Sequence, residues 1–220
     1  MSESPRTKLI AQIAAFAIVT AGVIGGGYWA IDTAEERSRL EAEQARRDAA
    51  PKRVTMGALY YVFAQTIEMA PLGLEGETWD MDDSAPDVTY QLAWQGQTVF
   101  ESAERTDALI ARWSGMKLGL EDAFALLKEG KADPGQIIDA ALMRAKQGES
   151  FDLKVFDDDL TGDEAAGTLT IPWAELAPGL NPIAGPVPGR GVLSVELRVI
   201  PDTGDLFKVI DALSGDGTAP

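Results

Sequence analysis

The chain has 220 residues, no cysteine and no histidine, and its 35 acidic against 19 basic side chains leave it 16 charges negative. Disulfides and thiolate chemistry are therefore absent, and imidazole general-base catalysis, Ser-His triads and the common zinc sites lose a necessary part. No Gly-rich phosphate loop and no G-x-S-x-G elbow occurs, so motifs and composition together point away from an enzyme and from a small-molecule substrate.

From Leu9 to Ile31, "LIAQIAAFAIVTAGVIGGGYWAI" runs 23 residues without a charge. At ~1.5 Å per residue that is long enough to cross a hydrocarbon core of ~30 Å. The reading is a transmembrane helix at 9–31 behind a short N-terminal tail at 1–8, with Arg6 and Lys8 before the span and Tyr28 and Trp29 as interfacial anchors. A cleaved signal peptide is the competing reading, but the run exceeds an h-region of about 7 to 15 residues, and no A-x-A site follows. Ala17, Ala21 and Gly25, and again Gly22, Gly26 and Ala30, recur every fourth residue and so line one helix face, which permits close packing against another span.

Basic residues flank the span on both sides, so charge leaves its orientation open. A short tail before a first span usually stays cytoplasmic. That makes the chain a single-pass protein, in a bacterium one of the inner membrane with its C-terminal domain in the periplasm; a cytoplasmic domain is the alternative. Residues 32–53 read as a charged helical stalk: 6 acidic and 6 basic side chains, i,i+4 pairs Glu35 to Arg39 and Glu43 to Arg47, and Leu40 as the one large apolar residue. Beyond it, Val54 to Pro220 holds 28 acidic and 11 basic residues and carries the negative charge. Such a surface repels phosphate backbones, so nucleic acid is excluded as a partner.

Strand-like runs follow at "VTMGALYYVFAQTIEM" (Val54 to Met69), "DVTYQLAWQGQTVFES" (Asp87 to Ser102), "FDLKVFD" (Phe151 to Asp157), "GTLTIP" (Gly167 to Pro172) and "GVLSVELRVI" (Gly191 to Ile200). In the last, Leu193, Val195, Leu197 and Val199 face one side, with Ser194, Glu196 and Arg198 opposite, the period of a half-buried strand. Two antiparallel sheets packed face to face are expected. Between them, Thr106 to Gly148 reads as a helical insertion, with Leu120, Phe124 and Leu127 on one face and an Asp133 cap before Pro134. The closing stretch, 202–220, offers Leu206, Val209, Ile210 and Leu213 at helical spacing for a short docking helix.

Five acidic side chains fall within the eight residues from Asp157 to Glu164. Such density repels itself unless water, a cation or a partner offsets it. An EF-hand matches at Asp157, Asp159 and Gly162, but position 12 is Thr168 and the flanks are strands, which rejects it. The run "VFDDDLTGDEAAGTLTIP" resembles the third loop and following strand of C2 domains, with its V-x-D-x-D stretch, a further acid, a glycine and a T-x-P strand. The stretch "EGETWDMDDSAPDVTYQLAWQGQTVFES" is similar to the family's first loop, with a G-x-x-W-D turn and a strand that opens at Pro86 and Asp87 and reaches Tyr90.

The resemblance spans 54–201 apart from the insertion at 106–148. It implies a mainly β fold, a C2-like antiparallel β-sandwich of eight strands with two acidic loops meeting at one end to bind calcium. Carried over by position, the Ca²⁺ ligands are Asp80 or Asp83 with Asp87 from the first loop, and Asp157 and Asp159 with Asp163 or Glu164 from the third. Many calcium-binding members place five residues between the last two third-loop acids, whereas Asp159 leaves three before Asp163 and four before Glu164. One ion rather than two is implied, and an empty solvated turn is the alternative. The functional expectation is a non-enzymatic, membrane-anchored C2-like module, held in the lipid bilayer by its N-terminal helix. It serves as an accessory or scaffold subunit, with other membrane protein subunits as partners. A calcium-dependent adaptor binding lipid or protein through the acidic loops is the alternative.

Overall fold

The computed structural model describes residues 53–79, 84–130, 132–158 and 164–214. The span expected at 9–31, with its packing face (Ala17, Ala21, Gly22, Gly25, Gly26, Ala30) and its anchors Tyr28 and Trp29, lies outside the described residues, as does nearly all of the stalk. Among the described residues no helix is long and apolar enough to cross a membrane.

The fold is mainly β, with two antiparallel sheets stacked as a sandwich. The strands are β1 (Leu59–Met69), β2 (Val88–Trp94), β3 (Gln97–Glu101), β4 (Ile110–Arg112), β5 (Ala141–Arg144), β6 (Ser150–Asp157), β7 (Glu164–Pro172), β8 (Gly179–Ala184) and β9 (Val192–Pro201). One sheet runs β4-β1-β9-β8, with β5 also paired to β1; the other runs β3-β2-β6-β7. Among the described residues three α-helices complete the domain: α1 (Leu120–Lys128), α2 (Pro134–Ile137) and α3 (Leu206–Ser214).

Strand β1, "LYYVFAQTIEM", organises this. Tyr60, Val62 and Ala64 point into the core between the sheets, while Tyr61 and Phe63 point to the opposite face. A register shift between Ala64 and Thr66 inserts one residue, so Ile67 and Met69 return to the inner face in spite of the odd spacing. The bulge is closed on every side. The Ala64 N–H donates to the Tyr90 hydroxyl at 3.1 Å, the Trp113 N–H to the Gln65 carbonyl at 3.0 Å, and the Arg198 guanidinium to the Gln65 side chain at 2.8 Å.

A second apolar cluster covers the outward face of the first sheet: Tyr61, Phe63 and Ile200 from its strands lie beneath Ala123, Ile137, Ile138, Val209, Ile210 and Leu213. The expected C-terminal helix is present, with Val209, Ile210 and Leu213 buried and Leu206 partly buried. Arg198, 8% exposed, ties it down by donating to the Ala212 carbonyl at 2.8 Å, where a cation also suits the helix C-terminus.

The insertion is narrower than its sequence suggests. Thr106 to Gly148 is not helical throughout, because its two ends are the short strands β4 and β5, both paired to β1. Asp133 caps Gly135 as expected, yet α2 stops at Ile137. The following residues alternate, with Ala141 and Met143 buried and Leu142 and Arg144 exposed, and supply the partner that the first half of β1 requires. The opening strand likewise begins at Leu59 rather than Val54, after a turn in which Gly57 has φ of +89°. On β9 the inner face is Val192, Val195, Leu197 and Val199. Leu193 is only half-buried because the register shifts between Glu68 and Met69. Nine strands rather than eight are present among the described residues; besides β4 and β5 from the insertion, β8 was not read in the sequence, hidden by Asn181 and Pro182. Pro182 is tolerated on this edge strand, and the Asn181 side chain bonds the Ala177 and Gly179 carbonyls.

Replacing Tyr90 with Phe tests the bulge. It leaves the buried Ala64 N–H without an acceptor, and we expect a loss of ~1–3 kcal/mol in urea denaturation with an unchanged m value.

A carboxylate-rich pole

The register places three loops at one end of the sandwich. Val88, the first residue of β2, pairs with Asp157, the last of β6, which also pairs with Glu164, the first of β7; Val88 bridges to Arg105 in the β3–β4 connection. The start of β2, the end of β6, the start of β7 and Arg105 of the β3–β4 connection therefore lie side by side at this end.

Two carboxylates knit them. Asp157, 0% exposed, accepts the Asp87 backbone N–H on Oδ1 at 2.7 Å. Asp87 in turn accepts the Asp107 N–H on its own Oδ1 at 2.8 Å, and its carbonyl takes the Asp158 N–H at 2.8 Å. Asp107 has φ of +50°, in the left-handed region that Asp tolerates better than most residues, and the Asp87 bond helps hold it there. The Ala108 N–H adds a bond to the Pro86 carbonyl at 2.9 Å.

The first loop is braced from its far side. Trp79, just before Asp80, is buried and donates its indole N–H to the Ala70 carbonyl at 2.8 Å. The Ala70 N–H bonds the Gly191 carbonyl, and the Gly191 N–H bonds the Leu72 carbonyl. Gly191 is needed at this approach: its φ is +57°, and a Cβ there would meet the Ala166 carbonyl and the Leu74 side chain. The arginines of this end face carbonyls. Arg105 donates to Arg112 O and Glu104 O and stacks over the Trp113 ring at 5.5 Å, and Arg190 donates to Leu74 O.

Of the expected calcium ligands, Asp87 and Asp157 are brought together, and Glu164 stands opposite Asp157 across the β6–β7 pair. Asp80, Asp83, Asp159 and Asp163 lie outside the described residues. Among the described residues no group of three or more acidic side chains is arranged to hold a metal ion. Carboxylate oxygens are the donors a hard cation takes, and Asp87 and Asp157 supply two such side chains at this pole. Each of the two central carboxylates, however, already gives one oxygen to a backbone N–H. Sequence reasoning missed Asp107 and the whole β3–β4 loop as a member of this end; the polar break "ERTDA" between two alternating runs was the available signal.

At the other end of the sandwich, Glu149 accepts bonds from the Trp94 indole and the Gln95 amide, and the Lys146 ammonium lies 3.3 Å from its carboxylate. Desolvation, the largest single influence, pushes its carboxyl up, but the bonds from Gln95, Lys146 and Trp94 and the Lys146 charge together outweigh it and hold it below the ordinary glutamate value.

No family model and no curated protein matches the chain. Solved structures similar to it include C2 domains. One titled "Structure of a C2 domain" shares 11% identity and a TM-score of 0.39 over 65% of this chain and 98% of its own length. The paired C2 domains of extended-synaptotagmin 2 share 16% identity and a TM-score of 0.42 over 70% of this chain. The calcium-bound form of the same pair gives 16% and 0.42 over 74%. The chain spans 44% and 54% of those two longer chains.

Asp157→Ala removes the acceptor on which the Asp87 N–H depends. We expect it to destabilise the fold by ~1–3 kcal/mol in urea denaturation, and Asp157→Asn, which keeps an oxygen there, by clearly less.

Proposed function

We propose that the chain is a non-enzymatic, membrane-anchored C2-like module that serves as an accessory or scaffold subunit of a larger membrane protein assembly. In this reading the N-terminal span, with its small-residue face, holds it among other subunits in a bacterial inner membrane, and the sandwich works on the periplasmic side. The observation that carries it is the helical layer over the outward face of the first sheet. It carries exposed apolar side chains, Leu120 on α1 and Phe207 on α3, and leaves Leu142 of β5 exposed in a cleft, where a self-sufficient cover would present polar groups. Extraction of native membranes in mild detergent tests it. The tagged full-length chain is expected to migrate with defined partner polypeptides well above its own 23.5 kDa, and a monomer alone would count decisively against the reading.

A second reading is favoured by a different observation, the meeting of Asp87 and Asp157 at one pole. There the module is a calcium-dependent adaptor, with one Ca²⁺ linking the acidic loops to lipid headgroups or an acidic partner. Asp87, Asp157, one of Asp80 and Asp83, and Asp159 with Asp163 or Glu164 are the residues to hold it. Calorimetry on the full-length chain is expected to show calcium heat that disappears in Asp157→Asn with Asp159→Asn; silence at millimolar Ca²⁺ removes this version.

A further inference from the structure

A cleft of about 550 Å³ opens in the outward face of the first sheet, lined by Tyr61 and Leu142 among others, by Asp133 to Gly135 at the start of α2, and by Asp202, Leu206 and Val209 at the start of α3. Tyr61 and Leu142 are cross-strand partners of β1 and β5 and form its floor. Leu142 is 49% exposed, and Phe207, stacked on Phe124 with centroids 6.0 Å apart, is 48% exposed. An opening of this size takes a side chain or two of a partner, and it falls within the usual range of binding pockets.

Beside the cleft lies an unused sheet edge. Among the described residues, strand β5 pairs with β1 alone. The Ala145 N–H bonds the Ala58 carbonyl, so by antiparallel alternation Met143 and Ala141 also turn their backbone groups toward β1. Leu142 and Arg144 then turn their N–H and C=O groups away from it, to the free edge. Such an edge is a template for an added strand, with side chains of alternate residues reaching the face where the cleft sits.

The charge of the lining completes the chemistry. Two carboxylates, Asp133 and Asp202, line the cleft, and among the described residues no basic side chain does. Asp133 accepts the Gly135 N–H and Asp202 the Gly204 N–H on one oxygen each. Cations on the elements that line it, or bonded to them, are already engaged: Lys117 on the Gly135 carbonyl, Lys208 on Asp205 and the Arg144 side chain on the Gly57 carbonyl. Burial, and then the charge of Asp202, raise the Tyr61 phenol above its ordinary value; burial would act against any charge, and the second cause marks the negative potential that Asp202 sets at this floor.

We propose that this cleft binds an extended segment of a partner protein, which adds as a strand to the free edge of β5, sets an apolar side chain over Tyr61 and Leu142, and places a lysine or arginine against Asp202 and Asp133. The inference deepens the accessory-subunit reading and rests on it for the existence of a partner.

Fluorescence polarisation with the full-length chain in detergent tests it, using the labelled peptide Lys-Val-Leu-Val-Arg and its counterpart Glu-Val-Leu-Val-Glu as probes. The basic peptide is expected to bind and the acidic one to bind at least about tenfold more weakly. Leu142→Pro removes an N–H that faces away from β1 and is expected to abolish binding without lowering the melting temperature by more than a few degrees. Leu142→Ser, which keeps the edge but empties the floor, and Asp202→Asn are each expected to weaken it several-fold. Glu101→Gln on the other sheet is expected to leave it unchanged. No binding at millimolar peptide, or equal loss in Glu101→Gln and Asp202→Asn, would overturn the proposal. So would dimers of the chain that dissociate in Leu142→Ser, since a second copy would then be the occupant. If the assembly forms in native membranes while these results fail, only the cleft is lost. If the peptide binds as expected and no assembly is found, the cleft stands and the accessory-subunit reading falls.

Discussion

Everything in this domain follows from one strand that is apolar on both faces. β1 presents Tyr60, Val62, Ala64, Ile67 and Met69 to the second sheet and Tyr61 and Phe63 to the other side. A sandwich of two sheets can satisfy only the first set. Burying a large aromatic is worth about 1.5–3 kcal/mol, so leaving Tyr61 and Phe63 in water would forgo a sizeable part of a stability that for any domain is only about 5–15 kcal/mol. The helical layer is the remedy, and its three helices come from two separate parts of the chain, both of which contribute buried side chains to the cover. The cover is incomplete over Leu142, which is why the cleft is there.

The acidic pole follows a different logic. Asp87 and Asp157 look like surplus charge in the sequence, yet each accepts a backbone N–H from another loop and thereby fixes where three loops leave the sheets. A carboxylate is a strong acceptor for such bonds, so part of the negative charge is structural whether or not a cation joins it. The arginines nearby reinforce this arrangement, as Arg105 and Arg190 donate to carbonyls of the same loops, those of Glu104 and Leu74.

Where one face of a strand is wet, period-two alternation was enough to locate it, as for β2, β6 and most of β9. Legibility failed where a second influence intruded. β8 was obscured by Asn181 and Pro182, residues that strands avoid except at edges. The segment around Ala141 to Arg144 carries good helix formers, Ala, Leu, Met and Arg, and only the unpaired edge of β1, a tertiary demand, makes it a strand. Of the acidic end, the meeting of Asp87 with Asp157 was legible through the family-like motifs. The share of Asp107 was not, since a left-handed turn residue leaves no periodic trace. The cleft was out of reach of any local pattern, because its walls lie far apart in the chain, at Asp133 and at Leu206.

The docking of the final helix has a consequence for biogenesis. Phe63 sits directly under this cover: a Cβ added at Gly115 would strike both the Phe63 ring and Leu213. During synthesis the sheet can pair as soon as β9 emerges, but its aromatic outer surface, covered until then only from the side of α1 and α2, stays partly open until the turn that carries Leu213 has left the ribosome. A message cut short before Val209 would therefore yield a nearly finished sandwich with a greasy flank, the kind of product that chaperones retain and proteases clear.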